Sequence, residues 1–391
     1  MMKSNRRRIH TLATGLTIIL VIPASYPSGD NVRNAEWPLT LFHVASRVWP
    51  HSRGDGVLVA VLDSGVRATH QDLTGQLIPG RDFSVGGRGW IDHDSMGHGS
   101  AMASLIAAHG HGPGNHEGIS GLAPGAHIMP LAIDLGSTAE ISKEEATAIN
   151  YAVDHGARVI NMSFSGPSRE PKEIDAVTYA ESHDVVLVAS CGNGGSRNVE
   201  WPAAYPGVVS VGAVDVNGNV WPQSNYGPQL TLTAPGVNIV AAGANSDTEY
   251  RLSDGTSDAA AYVSAEAALV RAAFPKLTAG QVVNRMVKSA VNPTGKVHDD
   301  HYGYGIIRPD AALTFDIPAG PATGPLPQLA GGTAAPAAGA AAAAGDGQVA
   351  AGARPQGGGS WGRVAVAAVV GVGAVGMGGW WWRRRRARDA G

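Results

Sequence analysis

Short runs of branched apolar residues alternate along the middle of this chain with segments whose apolar positions recur every three or four residues. Val57-Leu-Val-Ala-Val-Leu62, Arg158-Val-Ile-Asn-Met162, Val185-Val-Leu-Val-Ala189 and Val208-Val-Ser-Val-Gly-Ala-Val214 are short, largely apolar and rich in β-branched residues. Such runs suit parallel strands covered on both faces. Between them, segments 144–155 and 172–183 carry helical spacing, with Ile149, Ala152 and Val153 on one stripe, and 100–108 reads as a buried helix. An Ala-rich helix is predicted from Ser257 to Ala273. Gly-rich turns separate the elements. From residue 36 to 316 the alternation predicts an α/β domain, a doubly wound and mostly parallel sheet with helices on both faces. In such sheets the functional groups gather at the carboxyl ends of the strands. Asp63 closes the first predicted strand, and the loop 191–195 follows another.

The pattern changes at both ends. Lys3 and Arg6-Arg-Arg8 precede an apolar stretch over 12–22 and the small residues Ala24 and Ser25, the layout of a secretory signal over 1–28. After Ile317 the composition turns to Pro, Ala and Gly, from which no core can be built, so 317–361 reads as a linker. As flexible coil it would hold the domain on the order of 35 Å from a bilayer. Residues 364–382 then run without a charge, long enough at the helical rise to span hydrocarbon, so a single C-terminal transmembrane helix is predicted over 362–382. Trp380-Trp-Trp382 supplies an interfacial belt, and Arg383-Arg-Arg-Arg386 opens a basic tail, 383–391, that the positive-inside rule assigns to the cytoplasm. The expected location is the cell membrane, single-pass, with the domain extracytoplasmic. Leu326-Pro-Gln-Leu-Ala330 begins like a cell-wall sorting signal but lacks its threonine and glycine.

Composition narrows the functional classes. A net charge of -3 over 391 residues, with acidic and basic side chains interspersed through the domain, offers no basic face for nucleic acid. One cysteine, Cys191, permits no internal disulfide, so stability must come from the packed core. Cys191 itself reads as a small buried hydrophobe. His109, His111, His116 and Glu117 resemble a metal cluster on paper, but their Gly-Pro-Asn surroundings suggest a mobile solvated loop, and no metal is expected there.

Amide hydrolysis needs an activated nucleophile, a base that takes and returns its proton, and donors for the oxyanion. Ser257 follows Gly255-Thr256 at the start of a helix, where backbone N–H groups point outward. His98 lies between Gly97 and Gly99, which allow close approach to its ring. Asp63 could orient that ring, and Asn193, on the glycine-rich loop Cys191-Gly-Asn-Gly-Gly195, could donate to an oxyanion. Each residue also has a structural reading: a helix cap for Ser257, a loop or capping role for His98, a turn for Asp63, a positive-φ turn for Asn193.

Taken together these four blocks resemble the subtilisin-like serine peptidases, the subtilases, over residues 37–313. Thr69-His-Gln-Asp-Leu73, Gly121-Leu-Ala-Pro-Gly-Ala126, Val159-Ile-Asn-Met-Ser163, Tyr205-Pro-Gly-Val-Val-Ser-Val-Gly212 and Ala234-Pro-Gly236 read like segments of that family. The resemblance implies Asp63, His98 and Ser257 as a triad and Asn193 as oxyanion donor. It also implies that Ser163, Phe164 and Ser165, with Gly192, bind substrate as an extended peptide paired to a strand. Phe164 either narrows the pocket before the scissile bond or packs in the core. The family often carries calcium, which cannot be located here; no cofactor is otherwise implied. Asp258-Ala-Ala-Ala261 departs from the family, which has a proline after two alanines and hence a kink in this helix.

The terminal layout is similar to that of mycosins, membrane-anchored subtilases associated with type VII secretion in actinobacteria, which also share a short N-terminal extension. The expected function is therefore a membrane-anchored extracytoplasmic endopeptidase, with secretion components as partners. Its rivals are a catalytically silent scaffold of a membrane secretion complex and a hydrolase of non-peptide acyl groups. An ordinary imidazole at His98 would place the rise of activity near pH 7.

Overall fold

The computed structural model describes residues 29–135 and 138–328. Seven strands form one sheet: β1 (Leu58–Asp63), β2 (Arg81–Asp82), β5 (His127–Ala132), β6 (Val159–Met162), β7 (Val186–Ser190), β8 (Val209–Val214) and β9 (Leu232–Pro235). Their order is β2-β5-β1-β6-β7-β8-β9, and every pairing between them is parallel. Two antiparallel ribbons stand apart from it, β3 (His109–His111) with β4 (Glu117–Ser120), and β10 (Ile239–Ala242) with β11 (Tyr250–Ser253).

The helices are α1 (Gly29–Ala35), α2 (Trp37–Leu41), α3 (His98–Ala107), α4 (Thr138–Asp154), α5 (Pro171–Ser182), α6 (Thr256–Ala273), α7 (Ala279–Ser289) and α8 (Pro309–Thr314). Alternate residues of a strand point to opposite faces, and the core divides accordingly. Val59 and Val61 of β1 join the cluster that contains α3 and α6, whereas Ala60 and Leu62 join the one that contains α4 and α5. Both faces are thus covered, which is why these strands are largely apolar and a polar side chain such as Asn161 is hydrogen-bonded inside. The chain folds as an α/β domain around a parallel seven-stranded sheet.

Three strands of the sheet escape the apolar pattern, the shortest being β2, which is only Arg81–Asp82. Inner strand β5 contains Pro130, and β9 reads Leu-Thr-Ala-Pro. The segment expected as a mobile loop around His111 is instead the β3–β4 hairpin, tied down because His111 Nδ1 bonds Asp72 Oδ1 at 2.6 Å and Ile119 N–H donates to Asp72 Oδ2 at 2.9 Å. Among the described residues no group of three or more His, Cys, Asp or Glu side chains could hold a metal ion.

The domain reaches beyond the span 36–316 suggested by composition. On the amino side α1 buries Val32, and Arg33 donates to the carbonyls of Asn115 and Glu117. On the carboxyl side the first residues of the expected linker lie along α7, where Arg285 Nη1 donates to Ile317 O at 3.2 Å and Asn284 Nδ2 to Pro318 O at 3.1 Å. Backbone carbonyls bind α7 there, with Leu326 further on packed against the core, and composition cannot foretell the carbonyl contacts.

Among the described residues no helix is long and apolar enough to cross a membrane. The expected signal (1–28), the linker beyond 328, the apolar segment 362–382 and the basic tail 383–391 lie outside the described residues.

Candidate active site

Three neighbouring strands deliver the candidate groups. β1, β6 and β7 are adjacent in the sheet, and at their carboxyl ends stand Asp63, Ser163 and the loop from Cys191. Asp63 is the last residue of β1 and fully buried, so it is a strand terminus and not merely a turn former. His98 opens α3, whose close approach to β1 needs Gly99: a Cβ there would stand 3.2 Å from the Asp63 Cβ and collide with the Gly65 carbonyl.

The His98 imidazole meets both carboxylate oxygens of Asp63, with Nδ1 2.8 Å from Oδ1 and 3.0 Å from Oδ2. A carboxylate only accepts, so Nδ1 carries the proton and Nε2 is left for another partner. Burial works against charge on this ring, but the Asp63 carboxylate outweighs it and pushes the His98 pKa up to about 9. The sequence expectation of an ordinary imidazole is thereby revised upward.

Ser257 is the second residue of α6 and is capped by Gly255 at the helix N-cap, so the serine is not itself the cap. A chain of hydrogen bonds pins this end of α6 to β6. Ser264 Oγ donates to Asn161 Oδ1 at 2.9 Å, Asn161 Nδ2 to Ser163 Oγ at 3.0 Å, and Ser163 Oγ to the Ser257 carbonyl at 3.0 Å. The Ser257 hydroxyl donates to the Ser163 carbonyl at 2.8 Å; among the described residues it makes no hydrogen bond with His98. Asp63 and His98 are therefore joined, while the serine is turned toward the neighbouring strand end.

Asn193 is anchored through its oxygen, which accepts from Thr256 N–H at 3.0 Å and Thr256 Oγ1 at 2.8 Å. Because a backbone N–H can only donate, this fixes the amide with Nδ2 as its remaining donor, one residue from Ser257. The positive φ in this loop belongs to Gly192, at 106°, and Gly195, at 61°, and not to Asn193. Phe164 is partly buried and packs against the core cluster that holds α4 and α5. Cys191 is fully buried, and burial pushes its thiol up to about 12, which leaves it inert.

Two supporting features carry no motif that sequence reasoning could use. Asp92 accepts from Ser64 Oγ at 2.7 Å through Oδ1, and from Ser100 N–H at 2.8 Å and Ser100 Oγ at 2.6 Å through Oδ2. Since Ser64 N–H in turn donates to Asp63 Oδ1 at 2.8 Å, Asp92 clamps the first turn of α3 to the end of β1 and sets the distance between Asp63 and His98. Asp258, next to Ser257, is buried with Oδ1 accepting from Ser253 Oγ at 2.9 Å. Burial pushes its pKa up to about 6, against the favourable Ser253, Arg251 and His98. The helix α6 continues through this region to Ala273, without the proline interruption of the family pattern.

The chain is similar to known proteins over most of the described domain. The sequence model of the subtilase family matches residues 54–305. Mycosin-1 of Mycobacterium tuberculosis is 33% identical, over 79% of this chain and 79% of its own. Subtilisin DY of Bacillus licheniformis is 34% identical over 66% of this chain and 92% of its own. Fervidolysin of Fervidobacterium pennivorans is 32% identical over 74% of this chain, which spans only 45% of that longer protein. Among solved structures, MycP3 protease from the type VII (ESX-3) secretion system superposes with a TM-score of 0.65 at 32% identity, covering 75% of this chain and 90% of that one. MycP1 with its N-terminal propeptide removed gives a TM-score of 0.64 at 31% identity, covering 73% and 99%.

Proposed function

On the premise that the chain belongs to the subtilase family, as a mycosin-type member, we propose that it is a membrane-anchored serine endopeptidase cleaving extended protein segments outside the cytoplasm. The observation that carries this reading is the Asp63–His98 pair set beside a serine hydroxyl at the N-terminus of α6, with an oriented amide one residue away.

In the proposed reaction Ser257 Oγ turns from the Ser163 carbonyl to His98 Nε2. It attacks the scissile carbonyl as its proton passes to Nε2. Asp63 holds the ring in the Nδ1–H tautomer and stabilises the imidazolium without taking the proton. Asn193 Nδ2 and the Ser257 backbone N–H receive the developing oxyanion, and His98 returns the proton to the leaving amine. Water then repeats the sequence on the acyl-enzyme. The released Ser163 carbonyl and the strand end through Ser165 offer backbone partners to an extended peptide, with Gly192 opposite.

Anchoring rests on the apolar segment 362–382 with its basic tail, and a place beside secretion-system components rests on likeness to mycosins, one of which is described as an essential component of the type VII (ESX-1) secretion system. A fluorophosphonate probe on the full detergent-solubilised chain tests the chemistry. Labelling that Ser257→Ala abolishes is expected; no labelling of the unaltered chain would overturn the assignment.

The second reading, a silent scaffold, draws on the Ser257 hydroxyl being engaged by Ser163 and not by His98. Full complementation of a deletion strain by Ser257→Ala would favour it.

A further inference from the structure

Glu200 joins the far ends of two segments, 163–166 and 190–193, whose near ends meet the nucleophile's helix, and together they outline a trough. One wall of the trough is 163–166 and the other is 190–193, linked where Ser190 Oγ donates to the Phe164 carbonyl at 3.2 Å. At the near end both walls touch the nucleophile's helix, through Ser163 O on Ser257 Oγ and Asn193 Oδ1 on Thr256. At the far end both walls touch Glu200. Ser165 Oγ donates to Glu200 Oε2 at 2.5 Å, and a Cβ added to Gly192 would stand 2.8 Å from the same oxygen. The backbone closes the trough there, because Glu200 N–H donates to Cys191 O at 3.1 Å and Trp201 and Gly166 exchange bonds of 2.8 and 2.9 Å. Gly192 is needed twice over: its φ of 106° suits glycine, and any side chain would fill the space the carboxylate occupies.

The carboxylate has no cation of its own. Among the described residues it forms no ion pair, and its Oε1 accepts no hydrogen bond. Arg169 lies over the Trp201 ring at 5.7 Å and makes no ion pair with Glu200. A partly buried carboxylate at the end of an otherwise neutral trough favours a ligand that brings a positive charge and penalises one that leaves it desolvated and unpaired.

We infer that Glu200 makes this pocket select lysine or arginine at the position immediately before the scissile bond. The inference rests on the peptidase reading above, which supplies the direction of the trough from Ser257. Its extended substrates would then be cut after basic residues, a class neither the triad nor the fold specifies.

The test compares fluorogenic peptides that differ only in the residue before the cut, with the full solubilised chain. Arginine and lysine peptides are expected to exceed the leucine peptide in kcat/KM by about tenfold or more. In Glu200→Gln the arginine-to-leucine ratio should fall about tenfold, whereas loss of a merely structural contact would lower both in proportion. Should that variant not fold, peptide aldehydes ending in arginine or leucine, competing with fluorophosphonate on the unaltered chain, give the same ranking. Equal or better use of leucine, or a proportional loss in Glu200→Gln, overturns the inference while leaving the peptidase standing. Absence of both labelling and cleavage overturns the peptidase reading and this inference with it.

Discussion

Of the three aspartate–histidine pairs among the described residues, two are nearly the same by every local measure. Asp63 and His98 meet at 2.8 Å, with side chains 0% and 23% exposed; Asp72 and His111 meet at 2.6 Å, 0% and 24% exposed. What separates them is the third partner. The second oxygen of Asp72 accepts from Ile119 N–H at 2.9 Å and Tyr250 OH at 2.8 Å, and His111 Nε2 faces the Glu117 carboxylate at 3.6 Å. That pair is closed on all sides and staples the β3–β4 hairpin to the chain after β1. At His98 the outer nitrogen forms no ion pair among the described residues; Asp258 acts on the ring through its charge alone, and the N-terminus of α6 carries the candidate hydroxyl and anchors the amide. A paired carboxylate and imidazole are thus structural or chemical according to what the second ring nitrogen meets.

The contrast breaks most sharply under substitution. Ser257→Ala or His98→Ala should cut kcat/KM by about 10⁴-fold or more, with folding intact by circular dichroism. Asp72→Ala should do the reverse, leaving catalysis near its starting level but costing about 3 kcal/mol in urea denaturation, because three donors lose one buried acceptor. Large loss of activity in folded Asp72→Ala, or none in His98→Ala, would dissolve the distinction. Next in size is Asn193→Ala: removing one oxyanion donor should lower kcat about 10²- to 10³-fold, the magnitude known for a subtilisin and hence for a relative, while KM changes little.

How much of this contrast the sequence discloses depends on whether chemistry follows from chain neighbours or from tertiary contact. Val57 to Leu62 reads as a doubly covered strand because six adjacent positions share one environment, and Asp63 is legible as its terminus. The glycines around His98 and before Ser257 mark close approach, which is a local property. Asp92 is invisible in the same way that Asp72 is, since each gains its role from side chains brought up by folding: Ser64 and Ser100 for one, Tyr250 and His111 for the other. Strand β5 hides behind Pro130, which removes a ladder donor and argues against a strand wherever it is met in sequence. The residues after Ile317 fold back largely through backbone carbonyls, for which composition carries no sign.

The pH dependence sharpens the comparison at intermediate effect. With the His98 pKa pushed up to about 9, the neutral base becomes abundant only in alkali, so kcat/KM should climb through pH 7 and 8 and reach half its plateau near 9. Stability runs the other way. The folded pKa lies above the unfolded value of 6.5, so the pair's contribution is full below that value and is lost as pH rises through about 9. Thermal melts across pH 6 to 10 should show a decline that His98→Gln lessens. A kinetic midpoint at 7 or below would mean that Asp63 does not hold the ring as charged as its geometry requires.

The smallest expected effect concerns the second carboxylate near His98. Asp258 follows the nucleophile, is buried against Ser253, and its charge favours the imidazolium, while Arg251 opposes it. Asp63 remains the larger influence because it bonds the ring directly. Asp258→Asn keeps the shape and the Ser253 contact but removes the charge, so the kinetic midpoint should move downward, toward neutral pH, with the alkaline plateau largely retained. The closed pair serves as control: the same substitution at Asp72 should leave the midpoint where it was, because nothing links His111 to the nucleophile. A midpoint unmoved in Asp258→Asn would show that Asp63 alone sets the imidazole's charge, and that Asp258 serves α6 by packing and its serine contact without tuning the base.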